Sequence, residues 1–140
     1  MEELQDQYKL MLKKKSVSIL NKIFKEPITC LTAYSSGVAK LLDGLVDIVL
    51  IGDSLGSTLY GMKNSRGVTL DMMKLHGLAV TKNVSKSISI LDMPFNTYQN
   101  KSQALKNARL LLNFTGARML KLEINQNIEI IKHLSNKNIN

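Results

Sequence analysis

The chain has 140 residues, 44% of them hydrophobic, a content typical of a globular core and not of a disordered segment. No apolar run approaches the roughly 18 residues that a membrane-spanning helix needs, and residues 1–15 lack the apolar stretch of a secretory signal. The net charge is +8, yet the basic cluster Lys13–Lys15 is the only dense one and tryptophan is absent, so we expect a solvated basic surface with no nucleic-acid or membrane partner.

The first elements in chain order are polar. Residues 1–15 are predicted to form a polar N-terminal lead, and residues 16–25 a short helix that Pro27 ends. The strand predicted at 28–34 (ITCLTAY) contains the single cysteine, Cys30, which cannot form an internal disulfide. Because this thiol lies in an apolar run, we expect it to be buried and reduced, as in a cytoplasmic protein.

From residue 28 onward, strand and helix patterns alternate. Strands are predicted at 28–34, 47–53, 87–94 and 117–124. Helices are predicted at 35–44, 69–84, 101–115 and 127–137. The segment between the second strand and the second helix, residues 54–68, is predicted to be a polar, glycine-bearing loop. Capping residues stand at the helix starts and ends, namely Ser35 or Ser36, Thr69, Gly44 and Gly116.

Four βα repeats without a hairpin signal predict an α/β domain with a parallel sheet. Two architectures fit, an open doubly wound sheet or the first half of a TIM (β/α)8 barrel. A doubly wound domain usually has a glycine-rich phosphate-binding turn after its first strand, and residues 33–37 (AYSSG) lack that turn. The sequence therefore favours the barrel, with residues 16–140 covering about its first four βα units.

Acidic residues stand at or near the carboxyl ends of three of these predicted strands. An apolar run stops at Asp53 in the second strand and at Asp92 in the third, and the run RMLKLE in the fourth ends with Lys121 and Glu123. Because the carboxyl ends of parallel strands share one edge of a sheet, we expect these side chains to face one crevice. Two carboxylates there repel each other unless a cation lies between them, and Mg²⁺ takes such oxygen ligands. The alternative for each aspartate is a simple helix cap.

Other candidate residues have plainer explanations. His76 lies in the middle of a predicted helix and His133 in the last one, so packed or surface positions are expected for both. Tyr34 ends the first strand, where it either lines a pocket or packs in the core. The sequence contains no legible Ser-His-Asp set, and one cysteine with two histidines provides no zinc-binding spacing.

Several segments make the chain resemble the ketopantoate hydroxymethyltransferase family, also called 3-methyl-2-oxobutanoate hydroxymethyltransferase. They cover about residues 16–140 and include the helix around His76, TAY (32–34), IGDSLG (51–56), LDMPF (91–95) and TGARMLKLE (115–123). The resemblance implies a (β/α)8 barrel and a homo-oligomer. It also implies transfer of a hydroxymethyl group from 5,10-methylenetetrahydrofolate to 3-methyl-2-oxobutanoate, with Mg²⁺ as the Lewis acid that stabilises the substrate enolate.

The resemblance also assigns roles to individual residues. It implies Asp53, Asp92 and Glu123 as magnesium ligands. It implies that the keto acid is contacted by Asp53, Ser54, Asp92 and Lys121. Two positions depart from the family pattern, since Ser35 stands where the family usually has aspartate, and Ile124 follows Glu123 where glycines are usual.

Length is the larger departure, because family members run to roughly twice this chain, in line with a complete barrel. The resemblance therefore places an H-x-G-x-x-P-Q segment and the glutamate that accepts the proton beyond residue 140, and it assigns the catalytic base to none of these residues. We expect a truncated, split or decayed enzyme that is weakly active alone. A homo-oligomer or a complementing C-terminal half is the expected partner.

Two other functions fit parts of the sequence. A magnesium–enolate barrel enzyme of the phosphoenolpyruvate mutase and isocitrate lyase group would also carry a metal-binding aspartate at a strand end. Such enzymes usually add a cysteine-bearing loop in the middle of the barrel, whereas Cys30 lies in the first strand. A basic binding module that uses Lys13–Lys15 would instead show salt-sensitive binding of nucleic acid.

Overall fold

The computed structural model describes residues 27–124 and 128–140. Within them, four short strands form one parallel sheet whose strand order follows the sequence. The strands are β1 (Cys30–Thr32), β2 (Ile48–Ile51), β3 (Ile88–Asp92) and β4 (Met119–Lys121). The predicted α/β class and parallel sheet are thus confirmed. The predicted polar lead, the helix at 16–25 and the lysine cluster lie outside the described residues.

Helices alternate with these strands. They are α1 (Ser36–Leu42), α2 (Leu55–Tyr60), α3 (Leu70–Thr81), α4 (Lys101–Thr115) and α5 (Ile128–Ser135). Ser35 and Thr69 cap α1 and α3 as predicted, because their side-chain oxygens accept backbone N–H groups of the first turn. Gly116 ends α4 with a left-handed φ of 71°. No helix in the described ranges is long and apolar enough to cross a membrane.

The predicted loop at 54–68 is wrong for much of its length. It contains α2 and a 3-10 turn at Ser65–Gly67. α2 is not predicted from local propensity, because its sequence LGSTLY includes glycine, serine and threonine, which have low helix propensity. Packing forms the helix instead: a Cβ added at Gly56 would lie 2.6 Å from Val68 Cγ2 and 3.1 Å from Met62 Sδ. The close approach of the following segment therefore requires glycine at this position.

The helices cover one face of the sheet. The core on this side includes large, fully buried side chains from β2, β3, α3 and α4, among them Val49, Ile51, Leu91, Met73, Val80 and Leu111. On the opposite face, Leu50 and Ile90 are only half-buried. Full burial is therefore found mainly on the helix side of the sheet. The opposite face is therefore where the sheet is most accessible.

The first strand departs furthest from the expectation. All three residues of β1 are exposed, and among the described residues β1 pairs only with β2. Cys30 is exposed, so the predicted buried thiol is wrong. The physical reason is that an apolar run has the same composition at the edge of a sheet as at its centre, and only the tertiary arrangement decides its exposure.

One glycine sets the distance between α3 and its neighbours. A Cβ added at Gly77 would lie 2.8 Å from Thr115 Cγ2 on α4 and 3.2 Å from Leu91 Cδ1 on β3. The hydroxyl of Thr81, one helical turn later, donates to the Thr115 carbonyl oxygen. Because α3 is held this close to the sheet, the residue before the glycine, His76, can reach the segment that follows β1.

Candidate active site

Two aspartates meet at the carboxyl ends of β2 and β3. Asp92 is the last residue of β3 and is only 4% exposed, while Asp53 follows β2 and is half-buried. The backbone N–H of Asp53 donates to Asp92 Oδ2 at 3.1 Å. Gly52 permits this turn, because a Cβ there would lie 2.8 Å from Ser54 Oγ. The structure therefore brings together the two aspartates that the strand pattern singled out.

A lysine links the buried aspartate to a second acid. Lys121 is the register partner of Asp92 across β3 and β4. Its ammonium donates to Asp92 Oδ1 at 2.9 Å and to Glu123 Oε1 at 3.1 Å. The Asp92 side chain is nearly buried, whereas 71% of the Glu123 side chain is exposed. Both carboxylate oxygens of Asp92 are thus hydrogen-bonded, as a buried charge requires.

These charges shift the acidity of two groups. Burial raises the pKa of Asp53, and the negative charge of Asp92 raises it further, against the opposing effect of a hydrogen bond from Ser65. Burial alone would lower the pKa of Lys121, but its hydrogen bonds and attraction to Asp92 and Glu123 raise it. A further cation beside Asp53 would therefore relieve the repulsion between the two aspartates.

The donor set at this edge suits a hard cation with two protein carboxylates. Within the described ranges, no three His, Cys, Asp or Glu side chains converge as a metal-ligand group. The carboxylate of Glu123 contacts Lys121 instead. Because Mg²⁺ is often held by one or two carboxylates together with substrate and water, Asp53 and Asp92 fit it. The ligand roles of Asp53, Asp92 and Glu123 stay predictions.

Ser54 and Tyr34 extend the site toward β1. Ser54 is exposed beside Asp53, and its Oγ lies 2.8 Å from the Tyr34 hydroxyl oxygen. Tyr34 also packs against the buried core, which is one of the two roles that its sequence position left open. His76 is a packed, hydrogen-bonded histidine as expected, with Nδ1 2.6 Å from the Tyr34 carbonyl oxygen. His133 lies on α5 and is half-buried.

Most of the chain is similar to known proteins. Residues 14–140 match the family model of ketopantoate hydroxymethyltransferase. This chain belongs to that family. The resemblance seen in the TAY, GDSLG and DMPF segments is thereby confirmed, and it decides between this family and the phosphoenolpyruvate mutase group.

Similar proteins named 3-methyl-2-oxobutanoate hydroxymethyltransferase occur in several bacteria. The protein of Rhodospirillum rubrum is 48% identical over 99 residues, which are 70% of this chain and 36% of that protein. The protein of Rhizobium etli is 52% identical over 99 residues, with the same two shares. The protein of Pelagibacter ubique is 44% identical over 124 residues, or 88% of this chain and 48% of the relative. The chain thus spans less than half the length of these relatives.

Three further contacts near the site were not predicted from the sequence. Ser65, in the segment predicted as loop, hydrogen-bonds Asp53. The Tyr98 hydroxyl donates to the Glu123 carbonyl oxygen at 3.1 Å and so ties the loop after β3 to the end of β4. Asn107 is buried on α4 and donates to the Thr97 carbonyl oxygen at 2.7 Å. Only Asn107 gave a signal, as a polar residue on the apolar stripe of its helix.

Proposed function

We propose that this protein takes part in the transfer of a hydroxymethyl group from 5,10-methylenetetrahydrofolate to 3-methyl-2-oxobutanoate, giving 2-dehydropantoate in pantothenate biosynthesis. Family membership supports the proposal, because the relatives carry the name of that transferase. The structural observation that carries it is the convergence of Asp53, Asp92 and Lys121 at one edge of the sheet. In the balanced reaction, water supplies the new hydroxyl oxygen and tetrahydrofolate leaves.

We also propose that residues 16–140 are the N-terminal half of a (β/α)8 barrel. The sequential order of four parallel strands supports this, as does the accessible inner face with its half-buried Leu50 and Ile90. At the outer edge of β4, the Leu120 N–H donates to the Asn140 carbonyl oxygen at 2.9 Å, where a further strand would pair. A second half, from the same or another chain, would cover this face. Homo-oligomer formation and a cytoplasmic location belong to the same proposal.

The ammonium group of Lys121 supports the binding of an anionic keto acid. A lysine ammonium has three N–H groups. Among the described contacts, Lys121 uses one of them to bond Asp92 and a second to bond Glu123. A third N–H is thus suited to a substrate oxygen. Ser54 adds an exposed hydroxyl on the other side of the aspartates. We assign the contacts with the keto acid to Asp53, Ser54, Asp92 and Lys121.

Asp53 and Asp92 would hold Mg²⁺, and Glu123 would join them directly or through a water molecule. When bound, the ion would supply a Lewis acid that polarises the keto oxygen and makes the neighbouring C–H removable. The chain itself fixes the position of Asp92 through both carboxylate oxygens. The raised pKa of Asp53 supports the assignment, because burial and a neighbouring negative charge favour a cation at this point.

The proposal is tested by kinetics on the full-length gene product with both substrates and MgCl₂, with 2-dehydropantoate measured by mass spectrometry. The variant Lys121→Met should raise KM for the keto acid by about tenfold or more, since a hydrogen bond to a charged group is lost. Lys74→Met is the matched control, because Lys74 makes an ion pair of the same 2.9 Å length with Asp71 on α3. Equal effects of the two changes, or no product from the parent protein, would contradict the proposal.

The half-barrel part has a separate test. A polypeptide of residues 1–140 alone should bind the keto acid weakly and form little product, because half of the barrel interior is missing. Adding a polypeptide that supplies the second half from a relative should restore turnover. Steady formation of 2-dehydropantoate by residues 1–140 alone would show that these residues form a complete site, and this part of the proposal would then be withdrawn.

A further inference from the structure

His76 is fixed by two hydrogen bonds from opposite sides of its ring. Its Nδ1 lies 2.6 Å from the Tyr34 carbonyl oxygen, and a carbonyl only accepts, so Nδ1 carries a hydrogen. In the neutral ring Nε2 is then an acceptor, and the Tyr60 hydroxyl donates to it at 2.8 Å. The two rings meet edge to face, with centroids 5.8 Å apart. Tautomer and orientation of the imidazole are therefore both determined.

The bond to Tyr34 matters because the ladder of β1 ends just before this residue. The last bond from this strand to β2 is the Ala33 N–H to the Leu50 carbonyl oxygen at 3.0 Å. β1 is short and exposed, so the sheet provides little restraint beyond that point. His76 supplies a partner for the next carbonyl along the chain. The backbone of Tyr34 is thus held from α3 rather than from β2.

The side chain of the same tyrosine reaches the candidate active site. Its hydroxyl oxygen lies 2.8 Å from Ser54 Oγ, and Ser54 is adjacent to Asp53. Burial alone would raise the pKa of Tyr34, but hydrogen bonds with the hydroxyls of Ser54, Thr32 and Thr58 lower it. The phenol oxygen therefore lies in a group of hydroxyls that stabilises negative charge. A line of contacts runs from Tyr60 through His76 and Tyr34 to Ser54.

We propose that His76 is a positioning residue for the candidate site: by holding the Tyr34 carbonyl, it fixes the Tyr34 hydroxyl against Ser54 and so sets the pair of hydroxyls that receives the carboxylate of the keto acid. The identity of that ligand rests on the proposed function. The placement of Tyr34 by His76 does not, and the two are tested separately below.

Two substitutions separate the two bonds of the imidazole. In His76→Asn the side-chain amide nitrogen occupies about the place of Nδ1 and still donates to the Tyr34 carbonyl. In His76→Gln the amide reaches instead toward the position of Nε2, so the bond to Tyr34 is lost while a polar contact with Tyr60 is kept. Tyr60→Phe is the matched control, because it removes only the bond on the far side of the ring.

The first measurement needs no substrate. The full-length gene product is labelled with fluorotyrosine, and the ¹⁹F resonance of Tyr34 is identified by its loss in Tyr34→Phe. We expect His76→Gln to shift or broaden this resonance, and His76→Asn and Tyr60→Phe to leave it near its original position. An unchanged Tyr34 resonance in His76→Gln would overturn the positioning role, whether or not the protein binds the keto acid.

The second measurement is titration calorimetry with 3-methyl-2-oxobutanoate in the presence of MgCl₂. His76→Gln should weaken binding by about three- to tenfold, the equivalent of one neutral hydrogen bond, while His76→Asn stays near the parent value. In a Tyr34→Phe background, His76→Gln should have no additional effect, because the group through which it acts is gone. Additive losses would overturn the proposal. Absence of binding by the parent protein would reject the proposed function and leave the ¹⁹F result to decide the role of His76.

Urea denaturation of the same variants excludes a purely structural explanation. Both His76→Asn and His76→Gln remove the packed imidazole ring, so both should lower the free energy of unfolding. If substrate affinity followed that loss in both variants alike, His76 would be a packing residue only and the proposal would be wrong. Rescue of affinity by asparagine at reduced stability is the expected result.

Discussion

Asp43 and Asp53 lie at opposite ends of the sheet, and their carboxylates are in opposite situations. Asp43 follows α1, and its Oδ1 accepts the backbone N–H groups of Lys86 and Ser87 at 2.8 and 2.9 Å, while Oδ2 accepts the Ser85 hydroxyl at 2.9 Å. Burial by itself would raise the pKa of Asp43, but these bonds lower it. At the carboxyl end of β2, burial and a neighbouring carboxylate raise the pKa of Asp53.

The opposite pKa shifts indicate that Asp43 stabilises the fold, whereas Asp53 belongs to the candidate active site. Three donors from the chain satisfy the charge of Asp43, and these bonds join the end of α1 to the segment before β3. The charge of Asp53 is left close to another negative charge, an arrangement that lowers stability and is typical of functional sites. Substitutions at the two positions should therefore change different properties of the protein.

The largest effect is expected for a substitution of Asp53, at the carboxyl end of the sheet. Asp53→Asn should lower kcat/KM of the full-length product by at least about 100-fold at saturating MgCl₂, because a metal ion supplies several kcal/mol of stabilisation and about 1.4 kcal/mol corresponds to tenfold. Its free energy of unfolding should not fall. Steady-state kinetics and urea denaturation measure the two quantities on the same preparation.

Asp71→Asn is the control for Asp53→Asn. Asp71 lies on α3 with an 82% exposed side chain, so its loss should leave activity unchanged. If Asp53→Asn kept activity within a few-fold of the parent, the assignment of Asp53 to the metal and substrate would be wrong, and the carboxylate would act as a turn residue after β2.

The second largest effect is expected for a substitution of Asp43, at the amino end of the sheet. Asp43→Ala removes three hydrogen bonds to a carboxylate and leaves two backbone N–H groups to find water, so the free energy of unfolding should fall by about 2 kcal/mol. Asp43→Asn keeps an acceptor oxygen and should cost less. The kcat/KM of the folded fraction should stay at the parent value in both. Reduced kcat/KM at unchanged stability would place Asp43 in the site and remove the contrast between the two ends.

The structural role of Asp43 also predicts how the stability of the protein depends on pH. The pKa of Asp43 is lower in the folded than in the unfolded chain, so between the two values the folded state binds fewer protons. The stabilisation by Asp43 is therefore fully present above the unfolded value of about 4 and is lost as the pH falls through the lower folded value. Urea denaturation across that range should show the gap between parent and Asp43→Asn narrowing toward low pH. A gap that widened there would contradict the sign.

Local patterns made part of this site predictable from the sequence. Asp53 and Asp92 could be placed because each ends an apolar run, and the carboxyl ends of parallel strands share an edge of the sheet. The caps Ser35, Thr69 and Gly116 act within a few residues of their own positions, so composition and spacing were sufficient for them.

Contacts between distant segments were not predictable in this way. α2 forms in a segment whose propensities predict a loop, because Gly56 packs against Val68. The exposure of Cys30 depends on which strand is at the sheet edge. His76 meets a carbonyl oxygen 42 residues earlier in the chain, and no periodicity in the sequence signals that bond. Tertiary packing decides each of these features.

The smallest effect is expected for substitutions of Ser35, which test whether this residue is only a helix cap or also belongs to the site. Ser35 follows the last residue of β1 by three positions, where the family resemblance implies an aspartate, and its hydroxyl accepts the Val38 N–H at 3.5 Å as the N-cap of α1. If it acts only as a cap, Ser35→Asp should change the free energy of unfolding by less than about 0.5 kcal/mol and leave kcat/KM unchanged, since serine and aspartate cap equally well. Ser35→Ala should cost about 0.5 kcal/mol, because the existing bond is long. A large gain of activity in Ser35→Asp would instead assign this position to the site, and a carboxylate at a strand end would then be functional at β1 as well as at β2.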